Sequence, residues 1–447
     1  MTTIGGLAER AHEALGHDQE RAAVRQGTGV MAAGRLAALA GLTNPDELRD
    51  AARTLRTEAI AALPELLEEW SDRLTAAGGK VFWARDAKEA CDYVVKVAEE
   101  RKARLVAKSK SMASEEIHLN AALEAVGVEV VETDLGEFII QVAGEAPFHI
   151  ITPSIHKDRV QVAEILGRDA GRQIEPEIPA EVAYARERLR DVFLKADIGV
   201  SGVNFAVAST GSICIVTNEG NGRMVTSLPR VHVAIMGMER IVRDLSELDV
   251  MLSLLARSAT GQQLTVYTNL ITGPARAGEV DGPEELHVVV LDNGRSNVLA
   301  SEFREALNCI RCGACLNVCP VYRHVGGHSY GSVYPGPIGA VLTPLLKPDD
   351  PQARELSTAS SLCGACVDVC PVRIPLVDML LDLRARDHAD LGLSTRAGFA
   401  AWSRAWSRPA GLRATRWLLR AGNPLAQRLR GGPGWMGAWL RFRRPPH

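Results

Sequence analysis

No stretch of about eighteen consecutive apolar residues occurs in the 447-residue sequence, which excludes a transmembrane helix from the hydropathy pattern. The opening residues, Met1 to Arg10, show no basic region followed by an apolar run, so no signal peptide is expected. Aromatic residues are scarce at 5%, and cysteines number nine, of which seven fall in two short motifs. That leaves only Cys91 and Cys214, both in apolar segments, so a disulfide framework is excluded and a reducing, cytoplasmic setting is expected. There is no P-loop, no HExxH, no serine nucleophile elbow and no flavin signature. The run Gly27-Thr-Gly29-Val-Met-Ala32 has glycines in nearly dinucleotide-binding spacing but follows no strand, so it does not read as a Rossmann fingerprint. Residues 391–447 lack lysine and acidic residues altogether, yet hold eleven arginines and five of the seven tryptophans.

What is present is an ordinary globular composition, 46% hydrophobic and 23% charged with a net charge of −3, long enough for two or three domains. Its most specific feature is Cys309-Ile-Arg-Cys312-Gly-Ala-Cys315-Leu-Asn-Val-Cys319-Pro320, the C-x2-C-x2-C-x3-C-P pattern of cubane iron–sulfur proteins. A second run follows, Cys363-Gly-Ala-Cys366-Val-Asp-Val-Cys370-Pro371. Three thiolates two residues apart wrap one cluster, and the fourth, followed by proline, reaches the other cluster. Cys309, Cys312, Cys315 and Cys370 are thereby expected to hold cluster 1, and Cys319, Cys363 and Cys366 cluster 2. Zinc would need four ligands per ion and gains nothing from the triple spacing or the Cys-Pro endings. A complete second repeat would place cysteine at position 360, which is Ser360. The second cluster is then [3Fe–4S], or [4Fe–4S] with a non-thiolate ligand such as the Ser360 hydroxyl, solvent or a partner's group, or else it is labile.

Along the chain, residues 1–60 read as polar, Ala-rich helices without evident chemistry. Strand and helix signals then alternate, with strands expected at Lys80–Ala84, Arg104–Ser109, Val128–Glu132, Phe138–Val142 and His149–Ile151, which implies a mainly parallel α/β sheet. Asp197–Ala208 and Gly211–Thr217 look like a hairpin. Val231–Gly237, Leu264–Leu270 and Leu286–Leu291 are expected to complete the sheet. The forty-three residues between the cysteine runs and the helical periodicity around them point to an α-helical type of two-cluster ferredoxin domain, joined without a flexible linker. The expected division is 1–60, 61–300, 301–390 and 391–447.

Outside the cysteines, the turn Thr210-Gly-Ser212 and the loop Thr217–Arg223 lie at strand ends, where open α/β sheets bind ligands. Lys108-Ser-Lys110-Ser lies at another strand end. Lys110 and Glu219 are the candidate substrate-binding residues, and no catalytic residue can be named. His156 and His232 border strands and read as satisfied core or surface groups. In the tail, Arg404, Trp406, Arg408, Arg413, Arg416, Trp417 and Arg420 suit docking on an acidic partner, packing on the chain's own acidic part, or peripheral membrane contact. No motif supports nucleic-acid binding.

Taken together, the motifs resemble a known family. Lys108-Ser-Lys-Ser-Met, Val131-Glu-Thr-Asp-Leu-Gly-Glu137, Thr217-Asn-Glu-Gly-Asn221, Ala256-Arg-Ser-Ala-Thr-Gly261, Leu291-Asp-Asn-Gly-Arg295 and Gly326-Gly-His-Ser-Tyr-Gly331, with the first cysteine run, are similar to the lactate utilization protein B family over about residues 60–385. The resemblance implies an α/β LUD domain, NagB/RpiA/CoA-transferase-like with helices on both faces of a mainly parallel sheet, followed by an α-helical ferredoxin domain with two [4Fe–4S] clusters. It implies an electron-transfer subunit for L-lactate oxidation to pyruvate, partnered by a Cys-rich protein and a smaller LUD-domain protein. The alternatives are a scaffold and redox relay with the chemistry on a partner, or the same module acting on another 2-hydroxy acid. Family members also carry Ser-Ser-Leu-Cys where Ser360 stands. The Arg-rich tail departs from the family's more mixed charge, and the electron acceptor is not readable.

Overall fold

The computed structural model describes residues 5–389, 393–414 and Trp417. Ten strands occur among them: β1 Lys80–Ala84, β2 Leu105–Lys108, β3 Glu129–Glu132, β4 Ile198–Gly202, β5 Phe205–Val207, β6 Ser212–Thr217, β7 Val231–Gly237, β8 Ile241–Val242, β9 Tyr267–Ile271 and β10 Glu285–Leu291. Six form one sheet in the order β1-β10-β7-β4-β2-β3, and every pairing in it is parallel. The central strands β7 and β10 are near-continuous apolar runs, buried along almost their whole length, as strands covered on both faces must be. The remaining four make a second sheet, β8-β5-β6-β9, in which β6 runs antiparallel to both neighbours.

Alternation along the parallel strands divides the core. Val106, Val130, Val200, Val233 and Val289 face the helix Ala87–Glu100, whose Val94, Val97 and Ala98 complete that layer. Ala234, Met236, Val288 and Val290 face the opposite way, toward Ile213 and Ile215 of the second sheet and Trp70 and Leu74 of the helix Leu63–Ala76. Farther along that face, Ala107 and Val131 meet Phe138, Ile165, Leu189 and Phe193. The mainly parallel α/β sheet is thus as expected, with one difference: helices share the second face with a small sheet.

Several elements differ from the sequence reading. Phe138–Val142 is not a strand but part of the helix Leu135–Ala143. Asp134 caps it by accepting from the Gly136 and Glu137 amides, and Gly144 ends it in the left-handed region at φ +70°. A short apolar run has no periodicity that separates buried helix from strand, and the cap decided. His149–Ile151 forms no regular element. The 197–208 run breaks at Val203-Asn204, so β4 joins the parallel sheet while β5 pairs with β6 in the other. The strand expected at Leu264–Leu270 is β9, three residues later at its start, and it too belongs to the second sheet.

The chain divides into two compact units, Met1–Leu383 and Arg384–His447. Within the first, the N-terminal helices Leu7–Ala14, Asp18–Ala40 and Pro45–Ala61 share a hydrophobic core with the cysteine-rich segment, including Val24, Leu39, Leu316, Tyr322, Ile338 and Leu380. Gly327 fits because it lacks a side chain: a Cβ there would stand 1.8 Å from the Phe148 carbonyl oxygen. In the second unit the helix Leu393–Trp406 carries exposed Phe399 and Trp402, the latter stacked on Trp406 at 5.3 Å between centroids. Arg416 and Arg420 lie outside the described residues.

Candidate iron–sulfur centre and neighbouring charge clusters

The two cysteine runs fold as paired loops, each closing on a one-turn helix, Ala314–Val318 and Ala365–Val369, and the two helices pack together. Cys309, Cys312, Cys315 and Cys370 ring one small cavity, whose lining also includes Arg311 and the aliphatic side chains of Ile310, Ile338, Val372, Ile374 and Leu376. Cys370 thus leaves its own run to join the first three. Cys319, Cys363 and Cys366 form a second group near enough to feel each other's charge. In that group Cys363 is exposed and the other two are buried.

The donor set suits clusters. Burial pushes the Cys370 thiol up to about 11 and the Cys366 thiol up to about 12. Thiols so desolvated ionise when bound metal supplies the compensating positive charge. Backbone amides already point at sulfur: Arg311 N–H at Cys309 Sγ (3.4 Å), Tyr322 N–H at Cys319 Sγ (3.5 Å) and Ile374 N–H at Cys370 Sγ (3.4 Å). Such N–H···S contacts stabilise charge on the sulfurs and help set cluster potentials.

Positive charge is distributed unevenly. Arg35, Arg49, Arg56, Arg240 and Arg311 act on the thiols of the first group, whereas Arg323 is the cation acting on Cys319 in the second. Arg35, Arg49 and Arg56 come from the N-terminal helices that seemed devoid of chemistry. Arg35 Nη2 donates to the Val369 carbonyl at 3.0 Å, Arg49 Nη2 to the Cys370 carbonyl at 3.0 Å, and Arg56 to the carbonyls of Ile241 and Glu239, both at 2.6 Å. The available signal was the seven-residue spacing of Arg49 and Arg56, which puts both on one helix face. Asn317, inside the first motif, was also missed. Its Oδ1 lies 3.0 Å from His149 Nε2, and its Nδ2 donates to the Ala259 carbonyl at 3.3 Å. Burial, then Lys110, push His149 down to about 3, so the ring is neutral.

At the carboxyl ends of β2 and β3 stands a second polar constellation. Lys108, 1% exposed, donates to Glu115 and to Glu132, the latter at 2.5 Å. It is consumed internally and is no free anion site. Lys110 donates to the Ile151 carbonyl, and its charge is felt by both Glu137 and Glu219. Burial pushes Glu137 up to about 8, and its Oε1 is buried without a partner. Desolvation and Asp134 push Glu219 up to about 7, although this side chain keeps enough solvent contact for water to temper the shift. The Thr210–Ser212 turn does not join them. It lies at the opposite end of β6 from Thr217, and Thr210 Oγ1 and Ser212 Oγ bond each other at 2.9 Å. His156 is stacked on Phe148 and bound to Glu145 Oε2 at 2.7 Å, and His232 meets Ser201 Oγ at 2.7 Å. The Glu145, His156 and His328 donor atoms lie within 4.8 Å of one another and could hold a cation, beside a cavity of about 940 Å³.

Sequence comparison assigns both halves. The LUD domain family matches residues 67–291, and the 4Fe-4S dicluster domain family matches residues 305–374. Lactate utilization protein B of Bacillus licheniformis is 45% identical over 443 residues, covering 97% of this chain and 92% of that protein. The chain belongs to the lactate utilization protein B family. An uncharacterized electron transport protein of Escherichia coli, YkgF, is 51% identical over 353 residues, covering 79% of this chain and 74% of its own. A crystal structure of a DUF162 family protein from Deinococcus radiodurans aligns with 51% of this chain and 98% of its own, at 16% identity and a TM-score of 0.29, too low to bear on the fold. As a member of this family with a dicluster domain, the chain carries two [4Fe–4S] clusters and serves electron transport. No helix among the described residues is long and apolar enough to cross a membrane.

Proposed function

We propose that this chain is the iron–sulfur electron-transfer subunit of a multi-subunit system that oxidises L-lactate to pyruvate. The observation that carries the reading is the convergence of Cys370 with Cys309, Cys312 and Cys315 on one cavity, with Cys319, Cys363 and Cys366 grouped beside it. The first four are assigned to cluster 1 and the last three to cluster 2. Relatives bearing the name lactate utilization protein B supply the substrate class. When bound, the clusters each accept one electron at a time, so two of them take up the pair that a 2-hydroxy acid releases. In this reading Lys110 supplies the cation that attracts the substrate carboxylate. In the same reading Glu219 and Glu137, raised by burial to about 7 and about 8, pass to solvent the two protons that leave with this electron pair, one from the hydroxyl and one from Cα. The partners of this reading are a Cys-rich protein and a smaller LUD-domain protein, with the Arg-rich tail available for docking on an acidic partner or for peripheral membrane contact.

A second reading makes the chain a relay with the chemistry on a partner subunit. It is favoured by Lys110, whose ammonium is already engaged by the Ile151 carbonyl. Anaerobic reconstitution of the isolated chain separates the two. Bleaching of the cluster absorption by L-lactate places binding and oxidation on this chain. Bleaching by dithionite alone makes it a relay, and no cluster absorption after reconstitution overturns both. Other 2-hydroxy acids tested in the same cuvette define the substrate.

A further inference from the structure

We propose that Ser360 is the fourth protein ligand of cluster 2, binding through Oγ the iron that Cys319, Cys363 and Cys366 leave without a thiolate. The inference rests on the two-cluster reading above. It comes from an internal repeat in the backbone. In the first loop Arg311 stands in the left-handed region at φ +59°, Gly313 follows at +72°, and the Arg311 amide donates to Cys309 Sγ at 3.4 Å. In the second loop Leu362 stands at φ +55°, Gly364 follows at +86°, and the Leu362 amide donates to Ser360 Oγ at 3.1 Å. The helical turns match as well. Leu316 N and Val367 N donate to the carbonyls of Gly313 and Gly364 at 3.0 and 2.9 Å, and Cys319 N and Cys370 N donate to those of Leu316 and Val367, both at 3.2 Å. Cys319 and Cys370 leave their turns with the same ψ of 118°. Ser360 therefore occupies in loop two the place that Cys309 occupies in loop one, with the same amide directed at its side-chain atom.

Leucine at positive φ is uncommon and strained, so it persists where the surroundings over-determine it. In loop one this conformation turns residue 309 toward the same centre as Cys312 and Cys315. Its retention in loop two is explained if residue 360 must still face the centre shared by Cys363 and Cys366. The other two cysteines of the chain cannot serve: Cys91 bonds the Ile117 carbonyl inside the LUD domain, and Cys214 lies buried in β6. On binding, an Fe–O bond forms, the O–H bond breaks, and the hydroxyl proton goes to solvent. The oxidation states of the irons do not change. The alkoxide is a harder ligand than thiolate and sets this iron apart from the other three.

The test compares wild type, Ser360→Ala and Ser360→Cys, each as the full chain reconstituted anaerobically. The readouts are iron content, Mössbauer spectra and EPR of oxidised and dithionite-reduced samples. Wild type should hold two four-iron clusters, with one iron of cluster 2 distinct in the Mössbauer spectrum. Ser360→Ala should lose one iron and show the EPR signal of an oxidised three-iron cluster, with the reduced signal of cluster 1 unchanged. Ser360→Cys should keep the fourth iron but lose its distinct Mössbauer component. Identical iron content and spectra in wild type and Ser360→Ala would overturn the proposal, as would a three-iron cluster 2 in wild type. If Ser360→Ala loses cluster 2 entirely, Ser360→Cys decides: a spectrum unchanged from wild type refutes ligation by oxygen, and a changed one upholds it. A wild-type chain with a single cluster would instead refute the two-cluster reading, and this proposal with it.

Discussion

Replacing Arg295 by methionine should expose how the α/β domain is locked to the first cysteine loop. The Arg295 side chain is 1% exposed and reaches Glu116 twice, Nη1 to Oε1 at 2.9 Å and Nη2 to Oε2 at 2.8 Å. Its Nε donates to Glu239 Oε2 at 2.8 Å, and Glu239 Oε1 in turn meets Arg311 Nη2 at 3.3 Å, beside Cys309. Arg295→Met keeps an unbranched apolar stem and removes the charge. Glu239 retains Arg311 and Arg240, so the loss falls on Glu116, left with the neutral donors Asn293 at 2.7 Å and Tyr334 at 2.6 Å. Removing one partner of a buried pair costs about 3–5 kcal/mol, and the surviving hydrogen bonds keep this case near 3 kcal/mol. That corresponds to about a hundredfold in an equilibrium constant.

The assay is the rate at which cluster absorption is lost in fixed urea under argon, because cluster release makes unfolding irreversible. The variant should lose it at least about tenfold faster at pH 8, and Arg295→Met combined with Glu116→Gln should recover part of the difference. The pH dependence has a definite sign. Burial alone would raise Glu116, but Arg295 holds it below the usual carboxylate range in the wild type. The wild type therefore keeps this stability above the unfolded carboxylate pKa and loses it as pH falls through the lower folded one. In the variant, burial without a cation raises Glu116 above its unfolded value, so the variant gains stability as pH falls from 8 toward 5. The gap between the proteins should narrow on acidification. Equal rates at pH 8, or a gap that does not change with pH, would refute the reasoning.

Lys108→Met leaves Glu132 buried without its cation and should cost about 3–5 kcal/mol, read as a fall of several degrees in the apparent Tm. Glu137 is raised to about 8 by burial, so the folded protein prefers it protonated, and wild-type stability should fall as pH rises from the ordinary carboxylate range through 8. Glu137→Gln should flatten that slope and be the more stable protein at pH 9, on the order of 1–3 kcal/mol, by urea unfolding across pH. A steeper slope in the variant would contradict the assignment. Cys370→Ala should abolish the EPR signal of cluster 1 while sparing cluster 2, although Cys370 belongs to the second motif, and Cys319→Ala should do the reverse. Loss of the same cluster in both variants would exclude the crossed ligand assignment.

The spacing of the cysteines, with proline after the last of each run, determined the kind of cofactor, because three ligands two residues apart fit one loop geometry, and it is the basis of the proposed crossing of the ligand sets. The strand–helix alternation likewise determined a mainly parallel α/β sheet. Hydrophobic pattern alone did not decide that Phe138–Val142 is helical, since its apolar side chains are buried in either form and the Asp134 cap breaks the tie. Nor did it show that β4 and β5, consecutive in sequence, separate into different sheets. The buried arginines of residues 1–60 looked like solvated charge on Ala-rich helices, because the carbonyls they bind lie more than 180 residues away in the chain. Lys108 and Lys110 read alike in sequence, yet one is locked between Glu115 and Glu132 and the other stands with Glu137 and Glu219. Short-range spacing fixes chemistry that one loop can build by itself. Charge networks that neutralise buried groups depend on which distant elements meet, and only the tertiary structure decided that.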